Sequence, residues 1–187
     1  MPHPLQARSA LAVAATAFVA LSALTAASGA AADPPALPNG VMFPNEAGFA
    51  STYSLAGVID MTGPFFQSLG VNGRSCASCH EASAGWSITP RGVQLRFARS
   101  AGTDPIFRTV DGSNSPNADV STPQARRGAY SMLLSKGLIR VGLPIPADAE
   151  FELSAVDDPY RFASAAELSL FRRPLPTTNL GMLSTVM

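Results

Sequence analysis

Cysteine occurs at two positions in this 187-residue chain, Cys76 and Cys79, and His80 follows directly. The run Cys76-Ala77-Ser78-Cys79-His80 constrains the fold more than any other feature. In a helical turn, residues three apart share one side, so both thiols face the same way and the imidazole follows beneath them. This is the pattern in which two thioether bonds attach a haem and the adjoining histidine becomes the proximal ligand of its iron. The prediction is one covalent haem c on Cys76 and Cys79, with His80 ligating the iron.

Three other chemistries use such residues. A thiol-disulfide redox site needs Cys-x-x-Cys but no following histidine, and it usually sits between a strand and a helix. Here the motif follows the turn pair Asn72-Gly73. A structural zinc needs four ligands, which the residues clustered at 76–80 do not supply. A plain disulfide across two residues would be tight and would leave His80 without a role.

The N-terminus bears on the compartment. Arg8 precedes an apolar stretch from Leu11 to Leu24, and the small residues Ala26 to Ala32 follow, before Asp33-Pro34-Pro35. That layout predicts a secretory signal peptide over residues 1–32, leaving a single c-type cytochrome domain over 33–187 in the periplasm. The apolar core falls short of the roughly 20 residues that span a bilayer, so no stable membrane span is expected after cleavage. Cleavage removes His3, making His80 the sole histidine, and leaves 12 basic residues against 13 acidic ones. Nothing in that balance forms a nucleic-acid footprint.

Of the 13 basic residues only Lys136 is lysine. Arginine forks suit haem propionates, although most of these arginines read as ordinary surface residues. Sixteen prolines and fifteen glycines predict many turns. Residues 33–48 read as an extended lead-in and Phe65–Leu69 as a short helix. Thr89-Pro90 opens a helix to about Ala98, and residues 100–120 form a long loop. Ser121-Thr122-Pro123 opens a second helix to Lys136, stopped by Gly137. Segments 138–143 and 150–156 alternate like the strands of a hairpin. The expected class is mainly α: a cytochrome c-like haem domain with a small antiparallel β-hairpin and long loops.

With one histidine, a second imidazole on the iron is excluded within the mature chain. Met132, Met182 and Met187 are the candidate sixth ligands, and an open position is the alternative. Met132 sits on the apolar face of a helix, where a methionine is more often core than ligand, whereas Met182 and Met187 lie in irregular chain, which suits a ligand loop better. Trp86 is expected either at the haem edge or as ordinary core. Glu81 and Glu46 are the acid-base candidates if the site meets peroxide.

The stretch Asn72-Gly73-Arg74-Ser75-Cys76-Ala77-Ser78-Cys79-His80 resembles the first haem domain of bacterial di-haem cytochrome c peroxidases and their MauG-like relatives. Arg172-Arg173-Pro174-Leu175-Pro176-Thr177-Thr178-Asn179-Leu180 is similar to a later Arg-x-x-Pro-x-x-x-Asn region of that family. The resemblance implies haem attachment at Cys76 and Cys79 and ligation by His80. It also implies a continuation into a second haem domain that this sequence does not contain, as in a chain truncated at its C-terminus or a relative that kept one domain. The leading expectation is therefore an exported electron-transfer protein with a redox partner protein. The alternatives are the peroxidatic haem domain of a peroxidase-like oxidoreductase and an exported thiol-redox protein without haem.

Overall fold

Where a helix begins is decided locally, and the computed structural model, which describes residues 36–179, shows this at both expected starts. The signal peptide expected over residues 1–32, Leu180, Met182 and Met187 lie outside the described residues. The Thr89 side chain accepts from the Gly92 N–H at 3.1 Å, and α1 (Pro90–Ser100) begins with proline at its first position. α1 turns Val93 and Phe97 into the interior. Thr122 caps α2 (Pro123–Ala129) in the same way, accepting from Ala125 at 3.0 Å.

The second expected helix does not run unbroken to Lys136. Tyr130 leaves helical geometry (φ −100°, ψ 20°) and divides α2 from α3 (Ser131–Lys136), which Gly137 closes at φ +63°. Asn114 fills the break. Its Nδ2 donates to the Gly128 carbonyl at 3.2 Å and to Ser131 Oγ at 2.7 Å, and its Oδ1 accepts from the Met132 N–H at 3.1 Å. A buried amide from the 100–120 loop thus takes over helix hydrogen bonds, and the Tyr130 ring is buried.

The expectation of a mainly α fold is overturned. Helix makes up 23% of the described residues, in three α-helices and three 3-10 turns. The other regular elements are three separate antiparallel pairs. β1 (Ala36–Pro38) pairs with β4 (Val58–Asp60), and β2 (Phe43–Asn45) with β3 (Gly48–Ala50). β5 (Ile139–Leu143) pairs with β6 (Leu168–Arg172), from Ile139 opposite Arg172 to Leu143 opposite Leu168. The physical reason is the density of helix breakers: prolines recur through the lead-in and beyond β5, where each removes a donor and clashes with a preceding turn. The lead-in is accordingly extended but paired, and Phe65–Leu69 shrinks to a 3-10 turn at Pro64–Phe66.

The expected hairpin also changes partner. β5 forms, but segment 150–156 stays outside the sheet and exposed, with Phe151 66% accessible. Arg140, only 2% exposed, explains the choice. Its Nη1 meets Glu167 Oε1 at 3.0 Å and its Nη2 donates to the Val110 carbonyl at 2.6 Å. A buried guanidinium needs a carboxylate, and Glu167 supplies it only when the strand after it lies beside β5.

Cys79, Ile88, Val93, Phe97, Ile106, Phe107, Tyr130, Leu133 and Leu134 form one hydrophobic cluster. The 100–120 loop is thus a wall of the core, contributing Ile106 and Phe107. Its tight fold depends on Gly112, where an added Cβ would lie 2.7 Å from the Ile106 carbonyl oxygen and 2.9 Å from Arg108 backbone atoms. Gly112→Ala is expected to lower stability by about 2–3 kcal/mol, because backbone rather than a movable side chain blocks the methyl. Urea unfolding checks this, and an unchanged midpoint would contradict it.

Candidate functional site

The motif lies on a tight turn whose geometry follows from its own backbone. Ser75 and Ser78 bond reciprocally as a capping box around a 3-10 turn at Cys76–Ser78. The N–H groups of Cys79 and His80 both donate to the Cys76 carbonyl at 3.1 Å. Cys76, Cys79 and His80 therefore line one cleft of about 420 Å³, together with Pro64, Gln67, Leu69, Gly70, Asn72, Arg74 and Ser75. Both thiols are free; Cys76 is exposed and Cys79 buried.

His80 Nδ1 lies 2.8 Å from the Trp86 carbonyl oxygen. A carbonyl only accepts, so Nδ1 carries a proton, and in the neutral imidazole the lone pair is on Nε2, the tautomer a metal-ligating histidine uses. Trp86 presents that carbonyl from a left-handed backbone (φ +61°), uncommon for a bulky residue and costly by roughly 1–3 kcal/mol. The loop around it makes the strain tolerable. Trp86 N–H donates to Glu81 O and Glu81 N–H to Ser87 O, both at 2.8 Å. The indole Nε1 donates to Thr52 Oγ1 at 2.7 Å, and the ring packs edge-on against Phe65 and Phe66.

Two arginines clamp the turn. On the N-terminal side, Arg74 Nη1 reaches both carboxylate oxygens of Asp111 at 2.8 Å, and its Nη2 lies 3.6 Å from Cys79 Sγ. On the other side, Arg96 from α1 donates to the Ser78 carbonyl at 2.5 Å and to Glu81 Oε1 at 2.9 Å, and it also grips Asp104. Burial opposes the charge on both guanidiniums, but their carboxylate partners outweigh it and hold them firmly protonated. Burial pushes the Cys79 thiol up, with Arg74 partly offsetting it. In haem-free protein, iodoacetamide is expected to label Cys76 well before Cys79, since one thiol is open to solvent and the other is not. Peptide mapping after partial labelling checks the order, and equal rates would contradict it.

The sequence-predicted residues divide cleanly. Cys76, Cys79 and His80 come together. Met132 lines a different cleft, with Leu153, Tyr160 and Phe171, so it does not join them. Glu46 and Glu81 share a third cleft with Thr89 and Arg91, and the Glu81 carboxylate is engaged by Arg96. Trp86 is buried as core, yet its carbonyl serves His80. The stretch Arg172–Asn179 does approach the motif loop. The Ser87 hydroxyl donates to the Pro174 carbonyl, and Thr177, Thr178 and Asn179 share a pocket with Trp86.

Sequence reasoning passed over the clamps. Asp104 and Asp111 stand in Asp-Pro and Asp-Gly pairs, which read as turn signals, and the arginines as surface or as propionate partners. Arg74 in fact has its fork engaged by Asp111.

Two cysteines and a histidine lining one cleft are the donor set that a haem c needs, and the exposed Leu69 at its edge offers apolar contact. Among the described residues, no helix is long and apolar enough to cross a membrane. No protein-family model matches the chain, and comparison with curated proteins and with solved structures returns no match.

Proposed function

We propose that this chain is an exported c-type haem protein that transfers electrons, with one haem attached through Cys76 and Cys79 and its iron held by His80. The observation that carries the reading is that Cys76, Cys79 and His80 line one cleft while the Trp86 carbonyl holds His80 Nδ1 at 2.8 Å. When bound, the haem would supply a one-electron couple between ferric and ferrous iron. The chain's own residues do the rest. The Trp86 carbonyl holds the proton on Nδ1 and the imidazole in one orientation, which raises the basicity of Nε2. Arg96 and Arg74 hold the turn so that the thiols keep their spacing to that nitrogen.

The resemblance to the first haem domain of the di-haem peroxidases supports a second reading, a peroxidatic haem domain. The placement of Met132 in another cleft fits it, since that methionine does not stand beside His80, while Met182 and Met187 lie outside the described residues.

A pyridine haemochrome spectrum tests the first step on full-length chain matured with the periplasmic attachment machinery. A c-type band is expected, and its absence would overturn both readings. A ferric spectrum then separates them: a low-spin, methionine-ligated signature supports electron transfer, and a high-spin one supports peroxide chemistry.

A further inference from the structure

We propose that the pocket beside Trp86 is a binding site for a neutral, single-ring aromatic alcohol of the phenol class. The pocket shares no lining residue with the thiol cleft and is an open depression of about 290 Å³. A cavity of roughly 150 Å³ already admits benzene, so one ring with a substituent fits. Tyr53, Phe65, Phe66 and Trp86 supply its aromatic walls, with Ile59 between them.

The walls stand at steep angles to one another. Phe65 and Phe66 meet at 70°, and Trp86 meets them at 72° and 67°, with centroids 5.0 to 6.1 Å apart. They form one edge-packed aromatic cluster, a surface on which a planar π-system gains stacking or edge contacts that a saturated ring does not. Polarity is confined to hydroxyl and amide groups: Thr52, Thr177, Thr178 and Asn179 can each exchange a hydrogen bond with a ligand O–H. No charged residue lines the pocket among the described residues, so an ionic ligand would be desolvated there without a counter-charge.

Binding here depends on this pocket alone and does not require the haem. Its test is therefore separable from the one above. Trp86 is the only tryptophan of the chain and lies in the wall, so its fluorescence reports occupancy directly in haem-free protein. Titration calorimetry follows the same binding in full-length, haem-loaded protein. Phenol is expected to give a saturable signal with Kd of about 1 mM. Phe66→Ala is expected to weaken binding at least ~10-fold, as loss of an aromatic wall should. Tyr53 is 79% exposed, so Tyr53→Ala keeps the test available if the Phe66 variant does not fold; it is expected to weaken binding several-fold.

Cyclohexanol binding as tightly as phenol would overturn the proposal, since it would reduce the site to apolar partition. Tighter binding of tetramethylammonium would overturn it in favour of a cation cage. No saturation by phenol in either form of the protein would end it. Phenol binding that appeared only after removal of residues 180–187 would assign the pocket to the chain's own tail instead.

Discussion

Full-length protein carrying Cys76→Ser and Cys79→Ser together is expected to hold no covalent haem at all, whatever its fold. A thioether needs sulfur, and the described chain has no other thiol within reach of the cleft. Each single variant should retain haem through one bond, and the two should differ. With Cys79 replaced, the remaining bond is made by an exposed and easily reached thiol; with Cys76 replaced, it depends on one that is 7% exposed. Attachment yield is therefore expected to fall further in Cys76→Ser. Denaturing gel separation followed by haem staining measures all three. Haem persisting on the double variant would remove the basis of the proposed function.

The second large effect concerns Arg96. Replacing it by leucine leaves Glu81 and Asp104 facing a space without a cation, and the Ser78 carbonyl loses its donor. Arg96 is 20% exposed, so water relieves part of that cost. A loss of about 2–3 kcal/mol is expected, less than for a wholly buried pair. Because the Ser78 carbonyl lies within the motif, attachment yield should fall along with the unfolding midpoint. Arg96→Lys keeps the charge but not the fork and is expected to recover only part of the loss. A leucine variant with unchanged denaturant midpoint would show that the three contacts are not coupled.

What the sequence made legible was whatever depends on neighbouring residues. The turn at 76–80, the starts of α1 and α2 at Thr89 and Thr122, and the stop at Gly137 all follow from spacing and capping within a few positions. The interruption at Tyr130 was not legible, because its cause is Asn114, a residue sixteen positions earlier in a loop. The partner of β5 was hidden for the same kind of reason. Segment 150–156 alternates and β6 shows no clean period in the sequence, yet a buried arginine recruits β6 through Glu167. The site shows the same division: the three residues in the motif were readable, and the groups that hold them were not. Arg74 finds Asp111, and Arg96 finds Asp104 and Glu81, only once the chain has folded. The chain is not mainly α because its well-capped starts open only short helices, ending at Ser100, Ala129 and Lys136.

Cys79 is both a candidate attachment point and a member of the hydrophobic cluster with Phe97, Phe107 and Leu133. That double membership turns maturation into a race. While the chain is still open, the sulfur is available to a reagent as large as a haem carrier; once α1 and the 100–120 loop close over the turn, it is not. Attachment should therefore precede final collapse, and a chain that folds unaided before meeting haem should become a poor acceptor. Adding the attachment machinery at increasing delays after refolding begins would show the yield decaying at the rate of folding itself.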